Sequence, residues 1–150
     1  MPEPKKLVIA ADHGGFSLKQ FLTQKLSEKN IGYVDLGPTS AERCDYPDQA
    51  ALVCQAILKG EATLGLLICG TGQGMAIAAN KFQGIRAGVC SDTFSARMLR
   101  EHNNAQVLCL GGRILGEELA WEVVQSFMAG SFAGGRHADR VEKIKALEKQ

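Results

Sequence analysis

A single cysteine, Cys69, lies between an apolar run and a glycine-rich turn in the segment Leu64 to Lys81. A thiol beside a helix N-terminus can have a pKa below its free value of about 8.5, which makes it a candidate base near neutral pH. Gly70, Gly72 and Gly74 leave no side chains in the way, so successive backbone N–H groups can point at one anion or oxyanion. The alternative interpretation is that Cys69 is a small buried hydrophobic residue, the usual fate of a free cysteine.

Two further groups of residues have the chemistry to bind an anion. Asp12 and His13 follow the apolar run Leu7 to Ala11, and this histidine is able to bind phosphate or transfer a proton near neutral pH. Arg136 and Arg140 are four residues apart, so on a helix both guanidinium groups project from one face and suit a phosphate. A hydrogen-bonded loop histidine and a solvated helix face are the structural alternatives.

Three other positions are weaker candidates from spacing alone. His102 closes a predicted helix, where the dipole favours a cation without any function. Arg113 follows the Gly111-Gly112 end of a strand and is either a ligand-facing or a surface charge. Gly70-x-Gly72 with Asp92 about twenty residues on resembles a dinucleotide fingerprint, but Met75 stands where the third glycine belongs.

Composition excludes several classes of protein. The 150 residues suit one domain, and 45% hydrophobic with 22% charged residues is typical of a soluble globular protein. A net charge of +1 gives no bulk attraction to nucleic acid or to an anionic membrane. The five cysteines are odd in number, lack C-x-x-C spacing and follow no signal peptide, so we expect reduced thiols in the cytoplasm. The three histidines are scattered, which predicts no metal site.

The apolar pattern predicts an α/β protein. We expect a polar, frayed start over Met1 to Lys6, five short buried strands alternating with helices, and a C-terminal helix over about 136–148. The predicted strands are Leu7–Ala11, Ile31–Leu36, Leu64–Ile68, Ile85–Cys90 and Val107–Leu110, and Ser91 is the expected N-cap of the helix after the fourth. This alternation predicts a Rossmann-like, three-layer αβα sandwich around a parallel sheet. The order 2-1-3-4-5 puts a switch point between the strands that end at Asp12 and at Cys69, and so predicts one crevice there.

Five motifs occur together, in order, over nearly the whole chain. They are Ala11 to Gly15, Glu42 to Pro47, Ile68 to Gly74 with Ala78 to Lys81, His102-Asn103, and Gly134 to His137 with Arg140. Each is weak alone, but the ordered set resembles the type B ribose-5-phosphate isomerases of the ribose/galactose isomerase family. The resemblance implies an aldose-ketose isomerase that interconverts D-ribose 5-phosphate and D-ribulose 5-phosphate through a cis-enediolate, with no metal or organic cofactor. It also implies a cytoplasmic homodimer, sometimes a tetramer, whose active sites are each built from two subunits.

The resemblance also implies roles for individual residues. Cys69 is expected to be the base, and His102, from the partner subunit, to open the furanose ring. His13, Arg136 and Arg140 are expected to bind the phosphate, Asp12 and Tyr46 the sugar, and Asn103 and Arg113 to line the site from the second subunit. The loop that includes Gly70, Gly72, Gln73 and Gly74 is expected to bind the enediolate oxygens through its N–H groups, with Thr71 adding a hydroxyl.

Some members of this family lack the cysteine and use a glutamate at the position of Met75 as base. Here Met75 cannot accept a proton and Cys69 is present, which favours the thiolate branch over the galactose-6-phosphate isomerase subunits. A six-carbon substrate such as allose 6-phosphate stays open as an alternative. A non-catalytic sensor of sugar phosphates or nucleotides on the same fold is the rival of a different class.

Overall fold

Five parallel strands form one sheet in the order β2-β1-β3-β5-β4. The computed structural model describes residues 6–150, so the predicted frayed start lies, apart from Lys6, outside the described residues. The strands are β1 (Leu7–Ala11), β2 (Tyr33–Gly37), β3 (Leu64–Cys69), β4 (Ala87–Val89) and β5 (Val107–Gly111). The predicted class, a Rossmann-like α/β sandwich with a parallel sheet, is confirmed.

The predicted order of the last two strands is wrong. β5, rather than β4, pairs with β3, from Gly65 beside Val107 to Cys69 beside Gly111. All five residues of β5 are buried, whereas β4 has only three residues, all partly exposed. The longer apolar strand therefore takes the interior position and the short one becomes the edge, where a short strand is tolerated best. The switch point between β1 and β3 is unaffected.

Six helices cover the sheet and its edge. They are α1 (Phe16–Glu28), α2 (Tyr46–Leu58), α3 (Gln73–Ala79), α4 (Thr93–Glu101), α5 (Glu117–Ala129) and α6 (Arg136–Leu147). α1, α4 and α5 pack on one face of the sheet, and α2 and α3 pack on the other. Within residues 6–150, none of these helices is long and apolar enough to cross a membrane.

The start of α4 differs from the sequence prediction. Asp92, not Ser91, is the N-cap: its Oδ1 accepts the N–H of Ser95 at 2.7 Å and its Oδ2 accepts the Ser95 hydroxyl at 2.8 Å. These hydrogen bonds lower the pKa of Asp92. Because both carboxylate oxygens serve the cap, Asp92 does not fit the ribose-binding acid of a dinucleotide site.

Candidate active site

The turns that follow β1, β3 and β5 are joined by backbone hydrogen bonds. The N–H of Asp12 donates to the carbonyl of Ile68 at 3.1 Å. On the other side of β3, the N–H of Gly112 donates to Cys69 O at 2.8 Å, and that of Arg113 donates to Gly70 O at 3.0 Å. The three strand ends therefore form one continuous surface, which lies at the predicted switch point between β1 and β3.

Glycines make this close approach possible. A Cβ on Gly15 would overlap the carbonyl group of Ile68, and one on Gly112 would lie 2.5 Å from Gly14 O. Gly72 has a φ of +84°, which side-chain-bearing residues rarely adopt, and caps α3. Backbone atoms of a neighbouring turn thus lie where a side chain at Gly15 or Gly112 would have to be.

Cys69 lies at the centre of this surface. Its side chain is only 5% exposed, and its Sγ accepts the N–H of Gly72 at 3.2 Å. Cys54 shows the opposite arrangement, since its Sγ donates to the carbonyl of Ala79 at 4.0 Å. An N–H group therefore points at the sulfur of Cys69, whereas a carbonyl oxygen faces the sulfur of Cys54.

The other four cysteines are poor candidates for a base. Burial raises the pKa of Cys54 to about 11, and burial followed by the charge of Asp92 raises that of Cys90 to about 11. Burial also raises the pKa of Cys109 well above its ordinary value. At Cys44, burial and then the charge of Asp12 raise the pKa. These thiols stay protonated near neutral pH, which fits a role in packing.

The loop after Cys69 presents hydrogen-bond donors. The Thr71 hydroxyl accepts the N–H of Gln73 at 3.3 Å, and both side chains are exposed. The N–H groups of Gly74 and Met75, like the first donors of any helix, have no acceptor within α3. Such donors, fixed before any ligand arrives, suit an oxygen that carries negative charge only transiently.

Asp12 and His13 face the same surface from the end of β1. Asp12 is 6% exposed, and its Oδ1 accepts the N–H groups of Gly14 and Gly15 at 2.8 and 3.2 Å. His13 Nδ1 lies 3.2 Å from the carbonyl O and 3.3 Å from the N of Cys44, so it is occupied by the Cys44 backbone in either tautomer. His13 Nε2 is the ring nitrogen left for a ligand.

Tyr46 and Arg113 border the glycine loop. A Cβ on Gly74 would lie 2.5 Å from Cε1 of Tyr46, so the phenol ring packs directly on that glycine. A Cβ on Gly70 would lie 3.2 Å from Nη1 of Arg113, which places the guanidinium over the peptide after Cys69. Arg113 therefore lies beside Gly70 of its own chain, not across a subunit boundary as the resemblance implied, because β5 is the neighbour of β3.

We call this surface the strand-end cluster. Its members are Asp12, His13, Tyr46, Cys69, Gly70, Thr71, Gly72, Gln73, Gly74 and Arg113. They come from the loops after three adjacent strands and from the start of α2.

The remaining predicted site residues, His102, Asn103, Arg136 and Arg140, form a second group together with His137, which we call the helix-end cluster. The rings of His102 and His137 stack with centroids 4.0 Å apart and planes 9° apart. Helical spacing does not place His137 with the arginines, because a residue next to Arg136 points away from it on a helix. The stack could not be read from helical spacing, since its partner lies on α4.

Charge in the helix-end cluster is positive. Burial, His102, Arg136 and Arg140 all lower the pKa of His137, in that order of size. His137 also lies in the first turn of α6, where the helix dipole disfavours a cation. A neutral His137 beside two arginines leaves a basic site that suits a bound dianion.

The strand-end cluster lies at the carboxyl ends of the strands, and the helix-end cluster lies at their amino ends. Cys69 is at the carboxyl end of β3, whereas the N–H of Gly65, at its amino end, donates to Gln106 O, just after the helix-end turn. β3 has six residues, so its two ends are about 16 Å apart. One chain therefore does not bring His102, Asn103, Arg136 and Arg140 to its own Cys69. Over residues 6–150, no three His, Cys, Asp or Glu side chains are grouped as metal ligands.

Together, the sheet with its switch point, the glycine loop beside a thiol and the separate basic cluster define a Rossmann-like protein built to bind a small anion. The model of the Ribose/Galactose Isomerase family matches residues 7–144, and the chain belongs to this family. It is 47% identical to ribose-5-phosphate isomerase B of Escherichia coli, over 97% of this chain and 98% of the relative. It is 44% identical to the D-erythrulose-4-phosphate isomerase of Pectobacterium atrosepticum, over 96% and 95% of the two chains.

A solved structure extends the similarity to three dimensions. The structure of ribose-5-phosphate isomerase B from Mycoplasma genitalium, with bound ribulose 5-phosphate, matches with a TM-score of 0.91 at 40% identity. The match covers 97% of each chain. Both the fold and the sequence therefore agree with the family assignment.

Proposed function

We propose that this chain is an isomerase that interconverts D-ribose 5-phosphate and D-ribulose 5-phosphate, with Cys69 as the base. The observation that carries the proposal is the arrangement at Cys69, whose Sγ accepts the N–H of Gly72 next to a loop of free N–H donors. Family membership and the ribulose 5-phosphate bound to the M. genitalium relative support the substrate.

The reaction begins with an aldose that is closed into a furanose. Opening the ring breaks the bond between C1 and the ring oxygen, moves the proton of the C1 hydroxyl to that oxygen, and leaves an aldehyde at C1. His102 serves as the acid or base that carries this proton, since an imidazole changes charge near neutral pH. Asn103 lies beside it in the same turn.

Isomerisation follows in two proton transfers. The thiolate of Cys69 removes the proton from C2, and the electrons of that C–H bond form the C1=C2 bond of a cis-enediolate. The charge on the enediolate oxygens is stabilised by the loop from Gly70 to Gly74 and by the Thr71 hydroxyl. Cys69 then returns the proton to C1, which completes the two transfers at carbon. The hydroxyl proton on the C2 oxygen passes to the C1 oxygen, and the oxygen at C2 becomes the carbonyl of the ketose.

Binding at a distance from the reacting carbons positions the substrate. Arg136 and Arg140 bind the phosphate, with His13 Nε2 and Arg113 nearby, while Asp12 and Tyr46 contact the sugar. These contacts are made equally in the ground and transition states, so their main effect is orientation of C1 and C2 at the thiol.

Turnover of ribose 5-phosphate by the purified protein tests the proposal. We expect Cys69→Ala to abolish isomerisation and the exchange of substrate hydrogen with solvent, while sugar-phosphate binding is retained. Cys54→Ala is the matched control, because its thiol is buried, has a pKa of about 11 and should affect packing only. Retained turnover in Cys69→Ala would place the base elsewhere.

We also propose that two copies of the chain share each active site, as a homodimer or as a tetramer of paired dimers. The separation of the two clusters along β3 supports this, since a two-fold axis can place the helix-end cluster of one copy over the strand-end cluster of the other, twice. No contact within the described part of one chain joins them.

Mixing two inactive variants tests the shared site. Cys69→Ala and His102→Asn each abolish activity, but a hybrid of the two has one site with both residues intact. Random pairing makes half of the dimers hybrids, so co-refolding should restore about a quarter of wild-type activity. Failure to recover any activity, with hybrids present, would contradict the shared site.

Three alternatives are tested in the same assays. The erythrulose 4-phosphate relative, at 44% identity, favours a four-carbon sugar phosphate as a second candidate, and a six-carbon sugar phosphate such as allose 6-phosphate is a third. Ratios of kcat/KM over this panel identify the preferred substrate. Tight nucleotide binding with no hydrogen exchange would indicate a sensor.

The five free cysteines support the cytoplasm as the compartment we propose.

A further inference from the structure

Two arginines, Arg86 and Arg100, meet at the turn between α4 and β5. Arg86 is 9% exposed; its Nε donates to the carbonyl of Asn103 at 2.9 Å and its Nη2 to that of Asn104 at 2.8 Å. Arg100 Nη1 donates to the side chain of Asn104 at 3.3 Å and to the carbonyl of Ala105. One short turn is thus held by two guanidinium groups.

This arrangement is unfavourable for the stability of the fold. Burial lowers the pKa of Arg86, against the smaller influence of Glu148 and Glu142, and burial and then Arg86 lower that of Arg100. Neither arginine is in an ion pair among the described residues. Arg86 Nη1 and Arg100 Nε are also buried and, within residues 6–150, have no hydrogen-bond acceptor.

An ordinary surface turn would not need these cations. Its carbonyl groups would be satisfied by water, whereas burying two like charges side by side costs folding free energy. What distinguishes this turn is what it carries: it begins at His102 and Asn103, and Asn104 has a left-handed φ of +47°. The position of the His102 ring depends on this backbone on one side and on the stack with His137 on the other.

We propose that Arg86 is a positioning residue for the ring-opening step, which acts by holding the backbone after His102 in one conformation. Two successive carbonyl groups, those of Asn103 and Asn104, accept from two different nitrogens of one planar guanidinium. This two-point contact fixes the orientation of the turn as well as its distance from β4. The inference rests on the role of His102 in the proposed function.

Replacing the guanidinium by an ammonium separates charge from shape. Arg86→Lys keeps the positive charge but replaces two donors fixed in one plane by a single ammonium on a flexible stem, so the turn should lose its fixed orientation. Arg97→Lys is the matched control on α4, because Arg97 is exposed and interacts with exposed or partly exposed neighbours on α4, in a 4.0 Å ion pair with Glu101 and over the ring of Phe94. Thermal unfolding of each variant separates loss of the fold from loss of position.

The two substrates of the reaction distinguish ring opening from isomerisation. Ribose 5-phosphate must open, whereas ribulose 5-phosphate has its C5 oxygen in the phosphate ester and cannot close a furanose. We expect Arg86→Lys to lower kcat for ribose 5-phosphate about tenfold or more. Exchange of the C1 hydrogen of ribulose 5-phosphate with solvent should stay close to the wild-type rate, and Arg97→Lys should change neither.

A second variant keeps the test decisive if Arg86→Lys does not fold. Asn104→Gly frees the backbone of the turn and keeps both guanidinium groups, at the loss of the 3.3 Å hydrogen bond from Arg100 Nη1, and should give the same selective loss with ribose 5-phosphate. Equal losses with both substrates, or wild-type rates in folded Arg86→Lys, would overturn the proposal. Absence of turnover of either substrate by the wild-type protein would instead reject the proposed function.

Discussion

The strand-end and helix-end clusters differ in the atoms that do their work. The strand-end cluster is built from main chain, with turns packed so closely that a Cβ on Gly15 or Gly112 would meet a neighbouring backbone atom. The helix-end cluster is built from long side chains, with two arginines and a pair of stacked histidines around the ends of α4 and α6. The donors of the first are mainly backbone N–H groups, and those of the second are mainly cationic side chains.

This difference matches two kinds of charge. An enediolate oxygen carries negative charge only during the reaction. Its site should therefore bind the uncharged substrate oxygen weakly and stabilise the charge, when it forms, without rearranging, as fixed N–H groups do. A phosphate is charged throughout and needs permanent cations. The comparison predicts that damage to the glycine loop of the strand-end cluster lowers kcat, whereas loss of an arginine of the helix-end cluster raises KM.

The largest expected effect comes from Gly72→Ala. The methyl group would lie 3.1 Å from the carbonyl carbon of Leu110, on a residue whose φ is +84°, so the peptide that donates to Cys69 must move. We expect kcat to fall on the order of 10²–10³-fold, with little change in KM. Steady-state kinetics with ribose 5-phosphate measure both values.

Gly60→Ala is the control for backbone strain. Gly60 has a φ of +79°, with no atom near the position of a Cβ, and lies after α2, away from both clusters. Each alanine should lower the free energy of unfolding by about 1–2 kcal/mol. Gly60→Ala should keep normal kinetics; if it loses as much activity as Gly72→Ala, the strand-end loop has no special role in catalysis.

Much of the strand-end cluster could be predicted because its signals are local. The apolar runs at Leu7–Ala11 and Leu64–Ile68 indicate buried strands, and the glycines after them indicate turns with exposed N–H groups. Parallel strands bring their carboxyl ends to one edge, so Asp12 and Cys69 had to be close. The position of Arg113 could not be predicted, since it depends on whether β4 or β5 pairs with β3.

The helix-end cluster depends on contacts that no local pattern shows. Helical spacing put Arg136 and Arg140 on one face, but the stack of His137 on His102 joins two helices that are distant in sequence. The buried Arg86 gave no signal either, because a single arginine before a short strand usually indicates a surface position. Side chains that meet across elements require the tertiary structure.

Removal of one phosphate-binding cation is expected to have the second largest effect. Arg136→Met keeps an unbranched, flexible side chain but loses charge-assisted hydrogen bonds, which are worth about 1.5–3 kcal/mol each. KM for ribose 5-phosphate should therefore rise about tenfold to hundredfold, with kcat nearly unchanged. Lys145→Met, on the opposite side of α6 and paired with Glu142, is the control for net charge. A fall in kcat at constant KM would contradict the division between the clusters.

We expect added salt to affect KM but not kcat, with a smaller effect than the substitutions above. At about 0.5 M sodium chloride, exposed charges are screened over a few ångströms, which weakens attraction of the phosphate to Arg136 and Arg140. We expect KM to rise about two- to fivefold and kcat to stay constant, because backbone donors carry no net charge. A kcat that falls with salt would indicate that a charged side chain, such as the nearby Arg113, stabilises the transition state.

The smallest expected effect is the contribution of His137 to stability at acid pH. Its pKa is lowered in the folded protein, so below the unfolded value of about 6.5 the unfolded chain binds a proton that the folded chain resists. The stability that depends on neutral His137 is therefore complete above pH 6.5 and lost as the pH falls towards the folded pKa. His137→Gln should lose roughly one or two degrees less of Tm than the wild type between pH 7 and 5.5.

The causes of that lowered pKa allow the helix-end cluster to be tested apart from catalysis. Arg140→Met removes one of the neighbouring charges and should reduce the difference between the wild type and His137→Gln. Saturating inorganic phosphate should reduce it as well, because a bound dianion offsets the repulsion that keeps the imidazole neutral. If the difference persists unchanged in phosphate, the anion binds away from His137, and the basic cluster is not the phosphate site.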